Sequence, residues 1–289
     1  MRLGLGTVQF GMPYGSANPQ PEVPLVTVRD ILSHAQSLGL NILDTAVNYG
    51  SSEEKLGQCD LAQWRVVSKL PEIPSNENTD FWMEAQVRAS LERLKIPMLD
   101  GLLLHRPEQL LGARSAEILK SLTHLKEKEL VGKTGISVYA PDEIFACFDL
   151  AYFDLVQVPF NLLDRRILKS GCLDFLNDKG VEVHARSIFL QGLLLMDLES
   201  KNRQFGAWHS IWQELDIWVR NEGISYLEAC IAFVKNTPGI DTILVGVNST
   251  ANLEEIVSVF ESSAKAIPGH IHTDDPQLLN PANWSVRQE

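Results

Sequence analysis

Four side chains that could move a proton together follow one another along the chain. Asp44 ends the apolar run NIL, and Tyr49 stands five residues further on beside Gly50. Lys69 ends RVVS, and His105 ends DGLLL. A tyrosine hydroxyl ordinarily titrates near about 10. An ammonium group beside it favours the phenolate and so lowers that value. A carboxylate would hold the lysine charged and in position, and a neutral imidazole could orient a substrate carbonyl. Together the four would protonate an alkoxide developing on that carbonyl oxygen. Singly, each has an ordinary role: Asp44 a cap or turn, Tyr49 a packed aromatic, Lys69 a solvated cation, His105 a structural histidine. The joint pattern carries the reading.

Such a set needs a scaffold that brings distant strand ends together. Short apolar runs begin near residues 2, 41, 65, 100, 133, 153, 181 and 241. Several are apolar on both faces, as strands covered on both sides should be. Helical patterns separate them. Over 79–95, Met83, Val87, Leu91 and Leu94 share a face, with Thr79 and Asp80 as capping candidates. Further helices are expected over 114–129 and 250–261. Ser51 with Glu54 has capping-box spacing for a helix starting just past Tyr49. Eight strands with intervening helices and no linker predict an α/β fold, a single (β/α)8 TIM barrel spanning 1–289 as one domain. Pro268, Pro276 and Pro281 mark an irregular C-terminal tail. A doubly wound sheet is the structural rival, but GLGTVQFG is not the GxGxxG dinucleotide fingerprint. Chemistry in such barrels sits at the C-terminal strand ends. Those ends include Asp44, Lys69 and His105, then Ser137, Gln157 and Arg186.

These segments resemble the aldo/keto reductase superfamily. LDTAVNYGSSEEKLG is similar to its D-T-A-x-x-Y-G-x-S-E-x-x-L-G stretch, VVSKL to its lysine strand and LLLHRPE to its histidine strand. The resemblance implies a catalytic tetrad of Asp44, Tyr49, Lys69 and His105. It also implies a nicotinamide cofactor lying across the barrel mouth, with Tyr49 as proton donor to an aldehyde, ketone or sugar carbonyl. NADP(H) is the favoured cofactor and NAD(H) the alternative. GISVY aligns with a G-x-S-N-x segment, giving Ser137 to the cofactor carboxamide, with Val138 in place of Asn. VQVPFNLLDR gives Gln157 to the carboxamide, with Asn161 nearby. ARSIFLQGLLL places Arg186, followed by Ser187, where relatives often stack a tyrosine on the nicotinamide. Contact between the Arg186 charge and that ring would favour the reduced cofactor. ILVGVNSTANLEEI resembles the adenosine-phosphate segment, with Gly246, Asn248, Ser249, Asn252 and Glu255 as contacts. No Lys or Arg lies between Asp241 and Ala264. The N-terminal β-hairpin plug of many relatives is expected to be absent.

Other classes compete with this one. A nucleotide-binding regulatory or non-catalytic protein on the same barrel is the alternative. A metal-dependent hydrolase using Asp44, His105 and His184 is a further rival, but His184 precedes its strand end, so no metal is expected. The net charge of -12 argues against nucleic acid or anionic membrane as partner. Four scattered cysteines without CxxC spacing, and no signal-like or membrane-length apolar run, predict a cytoplasmic protein. A small carbonyl compound is the expected partner, with the chain a monomer or weak oligomer. Trp208, Trp212 and Trp284 are candidate substrate walls.

Overall fold

Each of the eight apolar runs contains a strand. In the computed structural model, which describes residues 1–15, 21–262 and 268–284, the strands are β1 Arg2–Gly6, β2 Ile42–Asp44, β3 Arg65–Leu70 and β4 Leu99–Leu104. They continue as β5 Val131–Ser137, β6 Leu155–Pro159, β7 Glu182–Arg186 and β8 Thr242–Gly246. All pair in parallel and in sequence order, and β1 closes on β8 with Gly6 opposite Gly246. β1 begins at Arg2.

Side chains alternate across a strand, so Arg65, Val67 and Lys69 share one face of β3. That face points into the barrel, where Val67, Leu103 and Leu155 form a small apolar cluster. The larger apolar cluster lies between the strands and the surrounding helices. The barrel interior is therefore tiered. Below the apolar plug, Arg65 donates to Asp100 and Glu182, and Lys133 and His184 also meet Glu182. Above it stand Asp44, Lys69, Gln157 and Arg186. A dry middle layer thus separates a charged floor from a polar mouth.

Helix boundaries departed from expectation in two places. Asn78, rather than Thr79 or Asp80, caps the Thr79–Leu94 helix, its Oδ1 accepting from Phe81 N at 3.1 Å. Thr79 is the first helical residue, and its hydroxyl donates to Glu117 instead. Ser51 occupies the cap position before the Ser52–Leu56 helix without making a capping bond. Its hydroxyl donates to Glu22 Oε2 at 3.2 Å, a charge-assisted bond that draws it away from the helix. The chain does form a capping box elsewhere, between Ser225 and Glu228 at the start of the Tyr226–Lys235 helix.

Candidate active site at the barrel mouth

The turn after β2 is held from below and from the side. Thr7 Oγ1 donates to Asp44 O, and Ser52 Oγ donates to Thr7 O at 3.0 Å. Glu53, almost fully buried, accepts from Ser68 Oγ at 2.8 Å and from Arg93 Nε at 2.9 Å. Ser68 is the neighbour of Lys69, so one carboxylate ties the Tyr49 turn to the lysine strand. The turn also presses on residues 8–11 without intervening side chains. A Cβ on Gly11 would lie 1.8 Å from Tyr49 O, and one on Gly50 would lie 2.2 Å from Gly11 O. Gly50 has a φ of +54°, a conformation that glycine enters at little cost.

This frame brings three members of the expected tetrad into hydrogen-bond contact. Lys69 Nζ donates to both carboxylate oxygens of Asp44 at 2.7 Å, to Thr45 O at 3.1 Å and to Tyr49 Oη at 3.2 Å. An ammonium group only donates, so the phenol accepts from it and keeps its own proton for another partner. The fourth member, His105, stands edge-on to Tyr49 with ring centroids 6.3 Å apart.

The electrostatics correct one expectation. Burial, and then the Asp44 carboxylate, push the Tyr49 phenol above its ordinary value, with Arg186 opposing. The expected lowering by Lys69 does not prevail, because burial dominates and the Asp44 carboxylate adds to it. Burial also lowers the Lys69 value, opposed by Asp44. His105 is pushed down to about 4, first by burial and then by the Lys69 and Arg186 charges, which leaves a neutral imidazole at neutral pH.

A cavity of about 880 Å³ opens above these groups and is lined by Asp44, Tyr49 and His105. It is near the upper end of the roughly 300–1,000 Å³ usual for ligand sites. Of the expected cofactor residues, Gln157, Arg186, Ser187, Gly246, Asn248, Asn252 and Glu255 also line it. Ser137 is buried behind Gln157, its Oγ donating to Gln157 Oε1 at 3.4 Å. Ser249 caps the Thr250–Glu261 helix, accepting from Asn252 N. Gln157 Nε2 donates to Asp44 Oδ1 at 2.6 Å, so its amide braces the carboxylate. The Arg186 guanidinium donates to Val138 O at 2.9 Å and to Ser187 Oγ at 3.3 Å. It lies 4.5 Å above the Tyr139 ring. Val138 is fully buried and serves Arg186 through its carbonyl.

The loop after β7 lines the same cavity in an unusual backbone. Ser187, Leu190 and Gln191 have φ values of 59°, 46° and 53°. Such conformations cost energy in non-glycine residues and gather at functional sites. Asn161 Nδ2 helps hold the loop by donating to Ser187 O at 3.2 Å.

His184 does not join Asp44 and His105. Its Nε2 meets Glu182 Oε1 at 3.0 Å on the floor side. No group of three or more potential metal ligands occurs among the described residues. The candidate tryptophan walls lie outside the cavity lining. Trp212 is core, Trp208 Nε1 donates to Asp275 Oδ2, and Trp284 packs on Phe205. The tail does line the cavity, through Asn280, Pro281 and Ala282.

Sequence reading missed Gln9, Tyr14, Tyr139, Gln191 and Tyr226, all of which line the cavity. The rule that chemistry collects at strand ends, applied to β1 and β5, would have found Gln9 and Tyr139. The others have no local signal.

A family model described as the aldo/keto reductase family matches residues 2–267. An L-glyceraldehyde 3-phosphate reductase of Escherichia coli O157:H7 is 23% identical over 278 residues, 82% of this chain and 80% of that protein. A D-arabinose 1-dehydrogenase of Saccharomyces cerevisiae is 33% identical over 131 residues, 41% of this chain and 38% of that protein. The solved structure of an aldo-keto reductase from Bacillus halodurans, in its holo form, matches with a TM-score of 0.75 at 18% identity. It covers 91% of this chain and 88% of that one, and at this identity the likeness is one of fold.

Proposed function

Since the chain belongs to the aldo/keto reductase family, we propose that it reduces an aldehyde, ketone or sugar carbonyl with a nicotinamide cofactor, Tyr49 supplying the proton. The observation that carries this reading is the position of Lys69 Nζ, in contact with both the Asp44 carboxylate and the Tyr49 hydroxyl. Relatives named for L-glyceraldehyde 3-phosphate and D-arabinose lend weight to a sugar carbonyl within that class.

The cavity fits a dinucleotide in two respects. Its volume is ample, and Gln9 Oε1 and Asn248 Oδ1 are buried acceptors on its lining with no partner among the described residues. Buried polar atoms of this kind normally have a partner, so these await a donor. Gln157, Arg186 and Ser187 would hold the nicotinamide end, with Ser137 acting through Gln157. Gly246, Asn248, Asn252 and Glu255 would hold the adenosine end, with Ser249 shaping the helix start. The reduced nicotinamide, when bound, supplies a hydride to the carbonyl carbon.

The chain's own groups do the rest. Neutral His105 donates to the carbonyl oxygen and orients it. Tyr49 gives its proton to that oxygen as negative charge develops there. Lys69 then faces a phenolate, which its ammonium stabilises far more than it does the resting phenol. Asp44, braced by Gln157, keeps Lys69 charged in a setting that burial would otherwise discharge. The raised value of Tyr49 suits the resting state, in which the acid must hold its proton. The four cysteines are free, which accords with a reducing compartment such as the cytoplasm.

Turnover of a carbonyl panel by Tyr49→Phe, alongside fluorescence titration with NADH and NADPH, tests this reading. The variant should keep cofactor binding and lose about 10²–10⁴-fold in turnover. Equal turnover by variant and parent would remove Tyr49 as the acid.

A further inference from the structure

Resting on the cofactor reading above, we infer that Lys201 is a hidden cation of this site. Buried behind the cavity wall, it favours an anionic ligand through the ring of Tyr226 and takes up a proton when that ligand binds.

The Leu198–Phe205 helix is polar in sequence, and the one residue it buries is Lys201. The inward position of a surface helix ordinarily carries an apolar side chain. Here it carries a fully buried amine whose Nζ has no hydrogen-bond partner among the described residues. An ammonium group is all donor, and burying it unpaired is unfavourable. Nζ instead lies 3.2 Å from the centroid of the Tyr226 ring, whose face attracts a cation. The Tyr226 hydroxyl donates to Asp216 Oδ1 at 2.7 Å, which polarises the phenol and strengthens that attraction. Asp216 also pairs with Arg220 at 2.9 Å, so its charge is shared. The lysine charge is not balanced at contact distance.

Tyr226 lines the cavity with Ser225 and Leu227, and Lys201 does not. The amine thus sits behind a wall that Tyr226 helps to form. The lining itself is short of positive charge. Arg186 is the one lysine or arginine among its described residues, and Asp44 and Glu255 are acidic. The diphosphate of a dinucleotide is anionic, and charges act over a longer range in a dry interior than in water. A cation set just behind the lining therefore counts.

The groups facing Lys201 leave it as the one that titrates. Burial holds it down to about 8, against the pull of Cys230, Asp216 and Asp197. Cys230 lies on the Tyr226–Lys235 helix, and burial pushes its thiol up to about 12. Burial, and then Asp216, raise the Tyr226 phenol. Both therefore stay neutral. Asp216 comes from the His209–Glu222 helix, and Asp197 caps the lysine's own helix. A ligand anion stabilises the charged amine, so binding raises the lysine's value and draws in a proton. By the same linkage, affinity is highest where the amine is charged and falls as pH rises past about 8.

The test titrates the full-length chain with NADH and with NADPH, by fluorescence and by calorimetry in buffers of different ionisation enthalpy. In the parent, affinity should fall about three- to tenfold between about pH 7 and about pH 10, with up to about half a proton taken up per cofactor at the midpoint. Lys201→Met keeps the length and loses the charge. It should bind more weakly at neutral pH, with a flat profile and no linked uptake. Urea denaturation should show it folded, since it removes an unpaired buried charge. Asp216→Asn removes a charge that keeps the lysine protonated, so its affinity should fall at lower pH than the parent's. Coincident profiles for parent and Lys201→Met, uptake unmoved by that substitution, or an unshifted Asp216→Asn profile would overturn the inference and leave the cofactor reading standing. Binding of neither cofactor by the parent would overturn both.

Discussion

Lys69 Nζ lies 2.7 Å from each carboxylate oxygen of Asp44, nearer than its 3.2 Å contact with the Tyr49 hydroxyl. The lysine is thus first the partner of a carboxylate and only second a neighbour of the phenol. Its charge is balanced in the resting site, where burial and the Asp44 carboxylate keep Tyr49 protonated. The same charge becomes available to the phenol's anion only when that anion forms.

The Asp44–Lys69 pair should be costly to break from either side. Both side chains are almost fully buried, so removing one leaves the other charged or unpaired inside the barrel. Asp44→Asn and Lys69→Met should each lose roughly 3–5 kcal/mol of stability, as single deletions from buried pairs do. The double variant should lose less than the sum, because neither charge is then stranded. Urea denaturation of the four proteins measures the coupling, and additive losses would show that the two groups are independent.

His105 makes stability depend on pH over a defined window. Its folded value is about 4 against an ordinary 6.5. Between these values the unfolded chain holds the proton and the folded chain does not. Unfolding therefore takes up a proton, and stability rises with pH across the window. This contribution is fully present above about 6.5, falls as pH drops towards about 4 and levels off below. Denaturation midpoints measured from pH 4 to pH 7 in the parent and in His105→Gln check it. The variant should show a flatter profile, and parallel profiles would refute the assignment.

Gly11 should act as a positioning residue for Tyr49. A methyl group there would have to displace the Tyr49 carbonyl, which is backbone and cannot swing aside. Gly11→Ala should cost about 1–3 kcal/mol, the usual range for overpacking, and lower kcat by moving the phenol. Cofactor affinity should change far less than kcat. An unchanged kcat in a folded Gly11→Ala protein would separate this contact from catalysis.

Arg186 should bias the site towards the reduced cofactor. Its guanidinium is positive, lines the cavity and is held in place by Val138 O. An oxidised nicotinamide is positive as well, so the two repel. Replacing it in Arg186→Met should raise affinity for oxidised relative to reduced cofactor by several-fold, read by calorimetry with each form. An unchanged ratio would mean that the charge does not reach the ring.

The strands and the candidate tetrad were legible because their signals are local. Each strand is an apolar run bounded by polar residues, and Asp44, Lys69 and His105 sit at or just beyond the ends of successive runs. Closing a parallel barrel brings such ends to one mouth whatever the remaining loops do. Local spacing misled where a distant partner competed for the same atom. Ser51 has the spacing of a capping residue, but Glu22 takes its hydroxyl.

By itself, then, the sequence determined the number and order of the strands, the family pattern and the four residues proposed as a tetrad. Tertiary structure alone decided that Gly11 lies under Tyr49, that Gln9 lies over Gly246 and that the tail reaches the cavity. It also decided the sign of the Tyr49 shift, which follows from burial and from the nearby Asp44 carboxylate. Local patterns record what a segment prefers, whereas desolvation and backbone approach depend on which remote segments come to rest against it.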